Sequence, residues 1–133
     1  MLQLIFHAIG DYLIQNDWMA LNKKLRTWKG ELACQIHCIT YALPFKFICS
    51  WQAVAVIYVT HYLIDRFNFV GYFLAFRNGM WKLNGVDHND PITFDTSNFG
   101  FGLDRPNFIT IWLYIITDNI FHIICNYIAI RYL

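Results

Sequence analysis

Three long apolar segments constrain this chain more than any other feature. Residues 30–49 hold two charged side chains, Glu31 near the start and Lys46 near the end. Residues 51–76 hold the adjacent pair Asp65 and Arg66, and residues 108–130 hold only Asp118. Each segment is about as long as the roughly 20 residues a helix needs to cross a hydrocarbon core. A chain of 133 residues has little interior in which to cover three such helices all round. A fourth segment, residues 2–15, is apolar but short, with His7 and Asp11 inside it. It lacks the basic start and small-residue cleavage site of a signal peptide. The expected fold is therefore all-α: an integral membrane bundle of about four helices, three long spans plus a short N-terminal helix, in one domain over residues 1–133.

Charge agrees with a lipid setting. Charged residues make up 14% of the chain, against roughly a quarter in ordinary soluble domains. Lys and Arg number 10 against 9 Asp and Glu, so no basic excess exists to neutralise phosphates, and nucleic acid is not an expected partner. Basic residues also suggest an orientation. Lys23, Lys24, Arg26 and Lys29 lie in the 17–29 connection, and Arg77, Lys82 and Arg105 in the 77–107 connection. Only Lys46 and Arg131 fall at the opposite ends. Both connections are thus expected on the cytoplasmic side of an inner membrane crossed several times. The 77–107 connection carries the turn signals Asn78-Gly79, Asn84-Gly85 and Gly100-Phe101-Gly102, and is long enough to form a lid. Trp18, Trp28, Trp51, Trp81 and Tyr132 near the proposed helix ends read as interfacial anchors. Short helices leave much surface to lipid, which leaves room for a homodimer.

Ionisable residues inside apolar helices are costly and mark a functional site by default. Here they are ordered. His7 and Asp11, His61 and Asp65, and Asp118 and His122 are each four residues apart, which puts each pair on one helix face; His37 adds a fourth imidazole. At about 1.5 Å of rise per residue, their depths along the proposed helices overlap. Imidazole and carboxylate together suit a divalent transition metal such as zinc, manganese or iron. Seven candidate ligands, His7, Asp11, His37, His61, Asp65, Asp118 and His122, are too many for one ion and enough for two with open positions for water. Gln15, Tyr41, Asn119 and Asn126 lie next to these residues or one turn away, where they would orient ligands or bond between helices.

Cys34 and Cys38, also four apart, are either ligands or small buried hydrophobes. The run Asp87-His88-Asn89-Asp90 reads as a solvated loop or an added ligand. A paired-Glu acid–base site is excluded, because Glu31 is the only Glu. Gly-rich phosphate loops and G-x-S-x-G motifs are missing as well.

The residues His7-x-x-Gly10-Asp11-x-x-x-Gln15-x-x-Trp18-Met19-Ala20-x-Asn22-Lys23 resemble the opening signature of a family of small bacterial and phage membrane proteins without an assigned activity. His37-Cys38, His61-x-x-x-Asp65-Arg66 and Asp118-Asn119-x-x-His122 match its remaining blocks, so the resemblance covers nearly the whole chain. That family is similar in outline to inner-membrane metal-dependent hydrolases, which also place His and Asp in their helices. The resemblance implies an inner-membrane location and a metal site, and supplies no substrate.

Two functional expectations follow. One is a membrane-embedded metal-dependent hydrolase acting on an amphiphilic, phosphorylated lipid. There Asp11 or Asp65 would serve as general base, and Arg66, with Lys23 or Lys24, would hold the phosphate. The other is a non-enzymatic phage or bacterial membrane protein whose His and Asp residues form a proton or ion relay or a structural metal site.

Overall fold

The computed structural model describes residues 1–83 and 92–133. The run Asp87 to Asp90 lies outside them. Among the described residues there are six α-helices: α1 (Leu2–Ala8), α2 (Asp17–Asn22), α3 (Trp28–Ala42), α4 (Trp51–Arg66), α5 (Phe69–Arg77) and α6 (Asn107–Tyr132). A π-helical stretch, Ile9–Ile14, continues α1, and a 3₁₀ turn, Leu43–Phe47, follows α3. One antiparallel strand pair, β1 (Trp81–Leu83) and β2 (Ile92–Phe94), aligns Trp81 with Phe94.

The all-α expectation stands, but the four-helix integral membrane bundle does not. Among the described residues only α6 is long and apolar enough to cross a membrane. Local chemistry shortens the other segments. Pro44 opens the 3₁₀ turn that ends α3 after 15 residues, about 22 Å of helix against a hydrocarbon core of about 30 Å. In the 51–76 segment, Asn68 adopts a left-handed backbone (φ 51°), which stops α4 after 16 residues and starts α5 afresh. With multiple crossings gone, the two-sided distribution of basic residues no longer assigns the 17–29 and 77–107 connections to a cytoplasmic face.

The chain divides into two compact units: residues 1–67 with 120–133, and residues 68–119. In the second, Asn78 donates to the Gly100 carbonyl (2.8 Å) and Tyr114 to Asn68 (3.0 Å). The 77–107 connection contributes the strand pair and a 3₁₀ turn, Ser97–Gly100.

The first unit holds the candidate site. Its helix starts are fixed by side-chain caps, with Asn16 accepting from Met19 N–H, Thr27 from Gly30 N–H and Ser50 from Ala53 N–H. The buried face of α3 repeats at helical spacing through Ala33, Cys34, His37, Cys38 and Tyr41. That of α4 runs through Val54, Ile57, His61, Ile64 and Asp65. Apolar residues of both helices, among them Ala42, Ala53 and Ile57, form a core with Phe45 of the 3₁₀ turn and Ala129 of α6.

Two glycines permit close approaches. A Cβ at Gly10 would collide with the Tyr41 ring, and one at Gly30 with the Leu25 carbonyl oxygen. Gly30→Ala must push the α2–α3 turn off the start of α3. A loss of about 2 kcal/mol is expected, read as a shift in the denaturation midpoint.

Candidate metal centre

Six of the seven expected ligand residues meet in the first unit. Asp11 comes from the π-helical stretch, His37 from α3, His61 and Asp65 from α4, and His122 from α6; His7 on α1 reaches Asp11. Two trios place one ligand atom each within 4.8 Å of the others: Asp11 with His37 and His61, and His61 with Asp65 and His122. Asp118 belongs to neither trio and lies in the second unit. Its spacing from His122 shows a shared helix face and nothing about which neighbours that face meets.

The cluster is dry and tight. His37, His61, Asp65 and His122 are at most 1% exposed, and the Asp11 side chain is 11% exposed. His37 Nε2 and His61 Nε2 are 2.9 Å apart. Asp65 Oδ2 is 3.2 Å from each of them, and Asp11 Oδ1 is 3.3 Å from the first and 3.6 Å from the second. The outer carboxylate oxygens also have imidazoles beside them: His7 Nδ1 lies 3.3 Å from Asp11 Oδ2, and His122 Nε2 3.8 Å from Asp65 Oδ1. Aromatic stacking sets the ring planes. The Tyr41 ring stacks on His61 (centroids 3.7 Å), and His61 on His122 (4.1 Å). Tyr41 Oη is 2.8 Å from His7 Nδ1 and accepts from Asn126 Nδ2 at 2.6 Å. Tyr41 and Asn126 thus hold the cluster from outside, with His7 rather than the preceding His37 as the histidine partner of the Tyr41 hydroxyl.

A cation joins this cluster from an unexpected place. Lys23, at the C-terminal end of α2, donates to Asp65 Oδ2 and to Gln15 Oε1, both at 2.7 Å, and its Nζ is 3.3 Å from His37 Nε2. From the sequence, Lys23 reads as one of four basic residues in a connection and, with Lys24, as a candidate to hold a phosphate; no periodicity marks it as a partner of Asp65.

Arg66 does not stand ready for a substrate phosphate. Its Nε donates to Glu31 (3.0 Å), and its Nη1 donates to the carbonyls of Leu25 (2.5 Å) and Lys23 (3.4 Å). Tyr62 and Gln35 also donate to Glu31. Arg66 therefore clamps the turn that carries Lys23. The thiols of Cys34 and Cys38 are buried and face each other at 3.9 Å, and neither belongs to a trio.

The charge states suit cation binding. Burial pushes the Asp65 carboxyl up, but the Lys23 ammonium and the neighbouring imidazoles more than reverse this and hold it well below the usual range. Asp11 is likewise held down: its contact with His37 and the imidazoles of His61 and His122 outweigh its burial. Burial opposes a charge on His37, yet its contacts with Asp11 and Asp65 raise its pKa. Burial and the adjacent His122 push His61 down to about 4, so His61 is neutral at pH 7 with a lone pair to offer. Both Asp11 carboxylate oxygens and the Nδ1 atoms of His37 and His61 are buried without a hydrogen bond. A donor set of ionised carboxylates and a neutral imidazole fits a divalent transition metal by charge and ligand type.

None of the curated proteins and none of the solved structures matches the chain. One family model, described as "Protein of unknown function (DUF3307)", matches residues 1–133, and the chain belongs to that family.

Proposed function

We propose that the first unit holds a divalent transition metal among Asp11, His37, His61, Asp65 and His122, and that the protein is a hydrolase of phosphorylated amphiphiles. One observation carries the reading: His and Asp side chains from four separate elements converge, buried, in two trios that share His61. Bound there, the ion supplies Lewis acidity and lowers the pKa of water toward neutrality. Asp11 has the most exposed side chain of the five. Its Oδ2, beside His7, accepts the proton of the attacking water. The dry surroundings strengthen each of these interactions.

The amphiphilic substrate and a location at a lipid bilayer rest on exposed apolar surface. Phe108, Trp112, Ile116, Ile120, Ile124 and Ile128 of α6 are all about half exposed or more. Exposed apolar side chains in such number mark a membrane or protein contact.

Elemental analysis tests the metal. Wild-type protein purified without chelator is expected to carry zinc, manganese or iron in stoichiometric amount, and His61→Ala to lose at least nine-tenths of it. Metal-free wild type would sink the hydrolase. It would favour a second reading, supported by the Lys23–Asp65 ion pair, in which the cluster is a charge network or proton relay complete without metal. With metal present, release of inorganic phosphate from phosphorylated lipids in vesicles tests the reaction.

A further inference from the structure

Five of the six distances among four of the converging atoms have the dimensions of a single coordination sphere. Ligand atoms each about 2.05 Å from one ion at tetrahedral angles lie about 3.3 Å apart. Asp11 Oδ1, His37 Nε2, His61 Nε2 and Asp65 Oδ2 are separated along five of their six edges by 2.9, 3.2, 3.2, 3.3 and 3.6 Å. The remaining imidazoles stand behind this set, His7 beside the second oxygen of Asp11 and His122 beside the second oxygen of Asp65. That is the arrangement expected of groups that orient ligating carboxylates.

The Lys23 ammonium shares two of the four atoms, at 2.7 Å from Asp65 Oδ2 and 3.3 Å from His37 Nε2. A divalent ion about 2 Å from the same two atoms would sit against a like charge at a separation where the repulsion, in a site this dry, is large. Both cannot stay.

Resting on the proposed metal centre, we infer that it holds one ion on Asp11, His37, His61 and Asp65, and that the Lys23 side chain fills this seat until the ion displaces it. The moving part is the side chain alone. Arg66 holds the Lys23 and Leu25 carbonyls, and Gly30 packs against the Leu25 carbonyl, so the turn is fixed on both sides. The lysine stem has four rotatable carbons and a side chain 12% exposed, which provides a way out to water.

The test is calorimetric titration of chelator-stripped protein with zinc or manganese alone. Wild type is expected to bind one equivalent. Lys23→Met, which removes the competitor, is expected to bind one equivalent at least tenfold more tightly. Lys24→Met removes the same charge one residue away and is expected to keep wild-type affinity. Lys23→Gln, which keeps a hydrogen bond to Asp65 without the charge, stands in if Lys23→Met does not fold. Equal or weaker binding by folded Lys23 variants overturns the exchange, and two equivalents in wild type overturn the single seat; both leave the metal centre standing. No binding to any of them overturns the metal centre and this inference with it.

Discussion

Metal-free Lys23→Met is expected to lose about 3–5 kcal/mol of folding stability, the cost of stripping a buried carboxylate of its cation. Asp65 is 1% exposed, and Lys23 donates to it at 2.7 Å. Without the ammonium, Asp65 must either stay charged in a dry site or take up a proton, and each course costs folding free energy. Arg26→Met, at an exposed position of the same turn, should change stability by no more than about 0.5 kcal/mol, as surface substitutions do. Lys23→Met/Asp65→Asn should recover most of the loss, because the uncompensated charge goes with its partner. Urea unfolding followed by circular dichroism measures all three. A loss below about 1 kcal/mol for Lys23→Met would show that water compensates Asp65 and that the site is wetter than its geometry implies. The same substitution that destabilises the metal-free protein is the one expected to tighten metal binding. Only a lysine that competes for a cation seat produces that opposite pair of signs.

What the sequence made legible follows from helical geometry. His7 with Asp11 and His61 with Asp65 keep the four-residue spacing that puts two side chains on one face, and both pairs reach the cluster. His37 sits on the same stripe as Ala33, Cys34 and Tyr41, so its inward direction was written in the pattern of α3. Two things were hidden for a different reason. The ends of α3 and α4 depend on local backbone events, a 3₁₀ turn at Pro44 and a left-handed Asn68, which hydropathy averages do not register. A segment of uniform apolarity therefore looked like one long span and folds as shorter helices. The second is the direction of Lys23. It leaves a turn rather than a periodic element, and that turn is held by Arg66, distant in sequence, and by the close packing of Gly30. The partners of Arg66 likewise follow no helical pattern. Its position beside Asp65 suggested a phosphate, while its partners are Glu31 and two turn carbonyls.

Acid should dismantle the metal-free site, and the sign follows from which groups fold in the uncharged form. His61 has a folded pKa of about 4 against about 6.5 when unfolded. The unfolded chain therefore binds a proton that the folded chain refuses, and stability from this group is complete above pH 6.5 and drains as pH falls toward 4. A shift of about 2.5 units corresponds to about 3 kcal/mol. Asp65 and Asp11 act in the same direction at lower pH: their folded pKa values lie below the unfolded ones, so their contribution is present above the unfolded carboxylate range and is lost as they protonate. His37 opposes them. Its raised folded pKa adds stability below pH 6.5 that is lost as pH rises through the folded value. The net expectation for stripped protein is a fall in urea midpoint that begins near pH 6.5 and steepens below pH 4. In His61→Phe, the first part of that fall should vanish, because position 61 no longer carries an imidazole to charge and the ring still stacks between Tyr41 and His122. A wild-type midpoint that stays flat from pH 7 to 4.5 would mean that His61 charges without penalty in the folded protein, and a site that tolerates an imidazolium there has no neutral ligand to offer an ion.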